Sequence, residues 1–213
     1  MEKIFLLFIL YSVLGFIIEV TLNLITKKRF INRGFLIGPY CPIYGVGSLL
    51  IIFLLDKYRN DILVLFILIT LICSILEYVT SYLMEKIFHI RWWDYSNHKY
   101  NINGRICLST MIPFGLGGVI LITYLNPFIL SVINKVPSNL LISCVVILLI
   151  VFITDILLSF NIILGLKNIT TNIKSDSTEK VTIQVKKKIK EANKALYNRL
   201  IYAFPRLQIF KRK

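Results

Sequence analysis

Three carboxylic acids stand inside long apolar stretches of the chain, and they are the residues with the clearest capacity for chemistry. Glu19, Glu77 and Asp155 each interrupt a run dominated by Leu, Ile, Val and Phe. A run of about 20 such residues can cross a lipid bilayer as a helix. A charged side chain at the centre of such a helix raises the free energy of membrane insertion by about 2.5–3.5 kcal/mol. Acids in that setting typically have a function, such as lining a water-filled or ligand-binding site.

Glu19 and Glu77 each belong to a polar stripe with helical spacing. The stripes consist of Ser12, Gly15, Glu19, Asn23 and Thr26, and of Thr70, Ser74, Glu77, Ser81 and Glu85. Each set falls on one helix face, which cannot point toward lipid, so we expect the two faces to meet. They would either join the helices by hydrogen bonds or line a cavity; two glutamates favour the cavity, because glutamine would join helices equally well. The predicted ligand or transport cavity comprises Glu19, Asn23, Glu77, Ser81 and Asp155.

Two further segments are predicted to form the cytoplasmic mouth of this cavity. Residues 32–47 contain four glycines and two prolines at the start of an apolar run, which favours either a broken helix or close helix packing. Residues 92–105 contain aromatic residues typical of the headgroup level, with a cap over the mouth as the alternative. The predicted mouth residues are Asn32, Arg33, Gly34, Gly38, Pro39, Tyr44, Trp93, Asp94, Tyr95, Asn103, Gly104 and Arg105.

Other catalytic and metal-binding signatures are absent from the sequence. It contains no phosphate-binding P-loop, no Gly-x-Ser-x-Gly elbow and no His-Glu-x-x-His motif. His89 and His98 are poorly spaced for a metal site, and the four cysteines form no metal or disulfide pattern. We therefore predict no metal and no cofactor, and the sequence favours a non-enzymatic role while leaving an enzyme open.

Apolar runs define the elements that must position these residues. Hydrophobic residues make up 56% of the chain and its mean hydropathy is +0.74, both too high for a soluble domain. Five runs are long enough to cross a membrane, at residues 4–24, 36–55, 62–83, 106–124 and 140–166. The sequence thus predicts an all-α, polytopic membrane protein with a transmembrane domain over 1–166 and a tail over 167–213.

The Lys and Arg residues predict the orientation of these spans. Of the 25 Lys and Arg residues, 21 fall in the loops after the first and third runs and in the tail, which would share one side. The basic side of a membrane protein is normally cytoplasmic. We expect the N-terminus outside and the C-terminus inside a bacterial cytoplasmic membrane. The net charge of +14 is then a topology signal, and no nucleic-acid partner is predicted.

The first four runs also resemble two copies of one helix pair, with the fifth run outside the repeat. At a shift of 70 residues, Tyr44 and Gly45 align with Phe114 and Gly115. In the tail, residues 178–204 show an apolar stripe opposite a lysine-rich face, which predicts an amphipathic basic helix. Such a helix would lie on anionic lipid or on the protein's own loops, with a cytoplasmic partner as the alternative.

Several of these motifs resemble the CmpB-type family of bacterial membrane proteins, described as putative ABC transporter type IV permeases. The similar segments are residues 32–45, Leu76-Glu77-Tyr78, Trp93-Asp94-Tyr95-Ser96, residues 101–105 and Ala203-Phe204-Pro205-Arg206. The resemblance covers nearly the whole chain and implies a small multi-pass protein. It brings no established catalytic or substrate residues, so none is transferred.

Together these observations lead us to expect a transport permease component, in contact with membrane lipid, that works with a separate ATP-binding subunit and forms a homodimer. One alternative is a lipid-binding protein or lipid-modifying enzyme at the headgroup level, with Arg33 and Arg105 holding a phosphate. Another is a scaffold that recruits partners through its basic tail.

Overall fold

The computed structural model describes residues 1–28, 36–88, 90–171 and 208–209 of the 213-residue chain. These residues are mostly helical. The helices are α1 (Glu2–Lys27), α2 (Pro42–Leu55), α3 (Ile62–Phe88), α4 (Leu108–Ile120), α5 (Asn126–Ile133) and α6 (Ser138–Thr171). A 3-10 turn, Asp56–Tyr58, follows α2, and a π-helical turn, Leu121–Leu125, joins α4 to α5. The predicted tail helix lies outside the described residues, as do Asn32, Arg33 and Gly34.

Among the described residues, four helical segments are long and apolar enough to cross a membrane, where the sequence predicted five spans. They are Glu2–Thr26, Ile62–Phe88, Leu108–Ile133 and Ser138–Asn161. Each corresponds to a predicted run, and each extends beyond the predicted limits at one end or at both. The second predicted span is the exception, because α2 has only 14 residues. At 1.5 Å per residue it is about 21 Å long, shorter than a hydrocarbon core of about 30 Å.

The second helix begins at Pro42 instead of residue 36 because of its prolines. Proline fits the first turn of a helix, where its missing N–H is not needed, but it disfavours helical backbone in the residue before it. Cys41, just before Pro42, is extended at φ −115° and ψ 96°. Residues 36–41 are accordingly non-helical, so the prediction of helix over this segment was wrong.

The fourth predicted span continues past residue 124, to Ile133, through the π-helical turn. Pro127 lies just after this turn and has no N–H to donate to the carbonyl four residues earlier. A π-helical turn is a known way to accommodate such an interruption without ending the helix. The side chain of Asn126, which is only 2% exposed, accepts a 2.9 Å hydrogen bond from the Tyr11 hydroxyl of α1.

Four two-residue strands modify the all-α prediction. β1 (Ile90–Arg91) pairs antiparallel with β4 (Gln208–Ile209), and β2 (Asn101–Ile102) pairs with β3 (Ile106–Cys107). The turn between β2 and β3 contains Asn103 and Gly104 at φ values of 52° and 67°. Two consecutive positive φ values are typical of a type I′ hairpin, for which Asn-Gly is the preferred sequence.

The helices pack as two close pairs, α1 with α2 and α3 with α4. A cluster of buried residues joins α2, α3 and the π-helical turn, namely Ile51, Leu55, Leu65, Ile69 and Ile122. Large apolar side chains such as Ile17, Leu71 and Leu157 remain more than half exposed on the outer faces. Exposed apolar faces on long apolar helices fit contact with lipid.

Glycines bring the paired helices together at matching positions. A Cβ on Gly45 of α2 would lie 2.3 Å from the Ser12 Oγ and 2.5 Å from the Phe8 carbonyl oxygen. A Cβ on Gly115 of α4 would lie 2.2 Å from the Thr70 Oγ1 and 2.6 Å from the Phe66 ring. Gly45 and Gly115 are 70 positions apart in the sequence. The residues that they contact, Ser12 and Thr70 and likewise Phe8 and Phe66, are 58 positions apart, as are Glu19 and Glu77. These matched contacts support the predicted repeat, with a longer connection in the second copy.

Candidate functional site

The polar stripes of α1 and α3 satisfy most of their polar groups within their own helices. Ser12 donates to the Phe8 carbonyl at 2.7 Å, and Thr70 donates to the Phe66 carbonyl at the same distance. Asn23 donates to the backbone carbonyl of Glu19 at 2.7 Å. Such bonds to the preceding turn leave these side chains with little need of a partner on another helix. The two glutamates cannot be satisfied in this way, because a carboxylate only accepts.

Each glutamate instead accepts a hydrogen bond from a tyrosine in a different segment. The Tyr44 hydroxyl, from α2, donates to the Glu19 Oε1 at 2.8 Å. The Tyr95 hydroxyl, from the loop between β1 and β2, donates to the Glu77 Oε1 at 3.2 Å. The charge of Glu19 also acts on Glu77 and on Tyr95, and Tyr44 and Tyr95 interact with each other. These four residues, Glu19, Tyr44, Glu77 and Tyr95, are called the acid cluster below.

The acid cluster combines residues that the sequence analysis had assigned to two different places. Glu19 and Glu77 were predicted for the cavity, and Tyr44 and Tyr95 for its mouth. The cluster is closely packed: Tyr44 meets the Phe114 ring at 6.0 Å between centroids, and Glu77 is only 6% exposed. A groove between α3 and α4 lies at the far end of α3 and contains neither acid. It is lined by Ile62, Leu63, Phe66, Leu116, Val119 and Ile120.

The loop that carries Tyr95 is fixed by its own hydrogen bonds. The Tyr95 N–H donates to the Gly104 carbonyl at 2.8 Å, and the Trp93 indole donates to the Arg105 carbonyl at 3.0 Å. Asp94 accepts from the backbone and hydroxyl of Ser96. Burial and the Glu77 carboxylate raise the pKa of the Tyr95 hydroxyl well above its ordinary value. The phenol therefore stays protonated and donates.

Arg105 is held at the end of α3 by contacts that occupy most of its guanidinium group. Nη1 donates to the Ser81 hydroxyl at 3.2 Å, and Nη2 lies 3.0 Å from the Glu85 Oε2. The guanidinium also stacks over the Tyr78 and Tyr82 rings, at 5.7 and 5.5 Å from their centroids. Ser81, which was predicted for the cavity, thus serves to position an arginine of the loop.

Glu85 has a role that the sequence analysis did not assign. Its carboxylate is bonded to the Arg91 Nε at 2.7 Å as well as to Arg105, and it thereby joins both ends of the loop to α3. Its place in the polar stripe, four residues after Ser81, was the available signal. The side chain of Asn103 also returns to α3, where it donates to the Tyr78 hydroxyl at 2.9 Å.

Asp155 was predicted for the same cavity, and its hydrogen-bond donors are residues outside the acid cluster. Its Oδ1 accepts from the Ile37 N–H at 3.0 Å and from the Ser159 hydroxyl at 2.8 Å. Its Oδ2 accepts from the Gly38 N–H at 2.7 Å and from the Tyr40 hydroxyl at 2.5 Å. Asp155 therefore fastens α6 to the non-helical segment before α2. Pro39, a predicted mouth residue, is exposed in the same segment.

The described residues contain no group of three or more His, Cys, Asp or Glu side chains that could hold a metal ion. Cys41, Cys73, Cys107 and Cys144 are free thiols. What the acid cluster offers is therefore two carboxylates and two phenols, which can accept hydrogen bonds, exchange protons or hold a small cation.

Comparison with known proteins gives one match. A family model described as "Putative ABC-transporter type IV" matches residues 6–160, which include all six described helices except the start of α1 and the end of α6. No curated protein and no solved structure matches the chain. Because the matched region covers most of the sequence and contains the whole acid cluster, the chain belongs to the CmpB-type family, described as putative ABC-transporter type IV.

Proposed function

We propose that this chain is the membrane-embedded transport component, or permease, of an ATP-driven system. One observation carries the proposal: two glutamates from different membrane-length helices interact electrostatically, and each accepts a hydrogen bond from a tyrosine hydroxyl of another segment. A role confined to joining helices would be filled equally well by glutamine or serine. The family and the four apolar spans support the same conclusion.

The energy for transport would come from another chain. The sequence contains no P-loop to bind ATP, so a separate ATP-binding subunit would supply hydrolysis. In the orientation that the basic loops predict, with the C-terminus in the bacterial cytoplasm, the loop of residues 91–107 faces that subunit. This loop carries Tyr95 into the acid cluster, which gives a direct connection between a cytoplasmic contact and the acids.

The number of helices supports a dimer. Four spanning helices and the short α2 are few to enclose a complete pathway, and two copies around a shared path would supply enough. The exposed apolar faces that remain would contact membrane lipid.

Within the part of the chain that the structure describes, no specific contact favours the alternative of a lipid-binding protein or lipid-modifying enzyme. That alternative needs Arg105 to hold a phosphate, but the Arg105 guanidinium is 3.0 Å from Glu85 and stacked between two tyrosines. A phosphate would have to displace these partners at a carboxylate-rich end of α3. We therefore propose the transport role alone.

The experiment that tests the proposal is identification of the partners of the chain in its native membrane. The tagged protein would be extracted with its surrounding lipid and subjected to mass spectrometry, with an unrelated tagged membrane protein as the control. We expect a stoichiometric ATP-binding subunit that is missing from the control. Recovery of this chain with lipid alone, at full yield, would contradict the permease proposal.

A further inference from the structure

Glu77 has a buried carboxylate oxygen with nothing to bond. Its Oε1 accepts from Tyr95, but its Oε2 is fully enclosed and has no hydrogen-bond partner among the described residues. The residue as a whole is 94% buried, judged from its 6% exposure. An enclosed polar atom without a partner costs about 1–3 kcal/mol, and more if it is charged, so it requires an explanation.

The surroundings of Glu77 offer hydrogen-bond acceptors and negative charge. Glu19 acts on it through space, and no described Lys or Arg forms an ion pair with Glu77. The Tyr44 and Tyr95 hydroxyls already donate their protons, and their oxygens can only accept further bonds. A species that completes this arrangement must therefore bring positive charge or a hydrogen to donate.

Asp155 provides an internal comparison, because it is also a buried acid in an apolar helix. Two backbone N–H groups and two hydroxyls donate to its two oxygens, so the ionised form is fully satisfied by the protein. Glu77 receives a single hydroxyl. Glu77 and Asp155 are therefore similarly buried, and they differ in the number of hydrogen bonds that they accept.

We propose that Glu77 is an exchangeable cation site, in which a proton or a single alkali-metal cation binds the Glu77 Oε2 within the acid cluster. This inference rests on the proposed transport function and names the ion that the transporter would carry or use to drive its cycle. The titratable groups that surround the site come from α1, the segment before α2, α2, α3, the loop and β3. They are Glu19, Cys41, Tyr44, Cys73, Tyr95 and Cys107.

The test is chemical labelling of the full-length protein in lipid nanodiscs with dicyclohexylcarbodiimide. The reagent reacts with a protonated carboxylic acid in an apolar environment. The acid O–H adds across one C=N bond to give an O-acylisourea, which rearranges to a stable N-acylurea that retains the whole reagent. Peptide mass spectrometry then locates the labelled residue. Asp155 is the matched control, and E77Q, which preserves side-chain shape, identifies the signal.

We expect Glu77 to be labelled and Asp155 to remain unmodified, with labelling of Glu77 decreasing several-fold as the pH is raised. Replacing choline in the buffer by sodium or potassium at constant pH distinguishes a bound proton from a bound alkali-metal cation. Protection by the metal identifies an alkali-cation site, and no protection identifies a proton site. Y95F should label faster than the wild type, because it removes the one hydrogen bond that Glu77 receives.

Two results would overturn the inference. One is a Glu77 that stays unmodified at every pH while the unfolded protein is labelled. The other is labelling that depends neither on pH nor on the cation present. The labelling reaction needs neither ATP nor a partner, so it tests the cation site independently of the permease proposal. If Glu77 is labelled as expected but the protein binds no ATP-binding subunit, the cation site is retained and the permease proposal is rejected.

Discussion

Each glutamate of the acid cluster depends on a tyrosine from a different segment. Glu19 is served by Tyr44 of the neighbouring helix, whereas Glu77 is served by Tyr95 of the loop. A tyrosine hydroxyl is well suited to this purpose because its ring packs among apolar side chains while its end donates a hydrogen bond. The loop therefore contributes a hydrogen-bond donor to the acid cluster through the Tyr95 side chain.

Removal of the Tyr95 hydroxyl tests this contact in isolation. We expect Y95F to destabilise the protein by about 1–3 kcal/mol, because a second buried oxygen of Glu77 then lacks a partner. The measurement is reversible unfolding in mixed micelles. Y100F is the matched control, since Tyr100 belongs to the same loop but is 80% exposed. Equal stability of the two variants would show that the hydrogen bond contributes nothing.

Asp155 is predicted to act as a structural anchor. D155N removes the charge that two backbone N–H groups share and presents an amide donor in their place. We expect a loss of roughly 1.5–3 kcal/mol for each charge-assisted bond that breaks, and faster proteolysis near residues 36–41. D56N is the control, because Asp56 is half-exposed and belongs to a surface ion pair. A D155N protein as stable and as resistant as D56N would contradict the anchor.

At the scale of the helices, glycine decides how closely each pair approaches. Gly115 and Gly117 belong to the same turn of α4, yet a Cβ on Gly115 would overlap Thr70 and Phe66, whereas one on Gly117 would meet nothing within 4 Å. The pair therefore separates the effect of packing from the effect of helix propensity.

We expect G115A to cost about 1–3 kcal/mol through overpacking and G117A to be neutral or slightly stabilising. Both would be measured by the same unfolding assay, with circular dichroism to confirm unchanged helix content. If the two alanine variants were equally stable, the close approach of α3 and α4 at Gly115 would not be a determinant of the fold.

The helices could be predicted from the sequence wherever the length of the apolar run alone determined where a helix forms. Apolar length alone located α1, α3, α4 and α6, because few alternatives exist for such runs in a membrane. The start of α2 was missed because apolar composition predicted helix from residue 36, whereas Pro39 and Pro42 prevent it there. The continuation to Ile133 was missed because the π-helical turn depends on local backbone geometry that composition does not show.

The site was only partly predictable, for a related reason. Periodicity placed Glu19 and Glu77 on polar faces, but no pattern in the chain indicates that a loop tyrosine reaches one of them. Asp155 was grouped with the two glutamates because it too is an acid in an apolar run. Its hydrogen-bond donors include the backbone N–H groups of residues 37 and 38, which have no sequence signature.

At the scale of the whole molecule, the acid cluster is where two helix pairs and a loop converge. α1 and α2 supply one acid–tyrosine pair, and α3 with the following loop supplies the other. The loop is held on α3 by the Glu85–Arg105 ion pair, so a displacement of the loop that breaks this pair would move Tyr95 relative to Glu77. Under the proposed function, this linkage would couple an ATP-binding partner to the acids.

The most direct test of that coupling is ATP hydrolysis by the complex isolated through this chain. Wild-type complex would be compared with E77Q, and with G117A as a variant whose change lies outside the cluster. We predict hydrolysis in the wild type and in G117A, and a several-fold change in E77Q at equal recovery of the ATP-binding subunit. Identical rates in all three complexes, or no hydrolysis in any of them, would contradict the proposal that this chain is an ATP-driven transport component working through its buried acids.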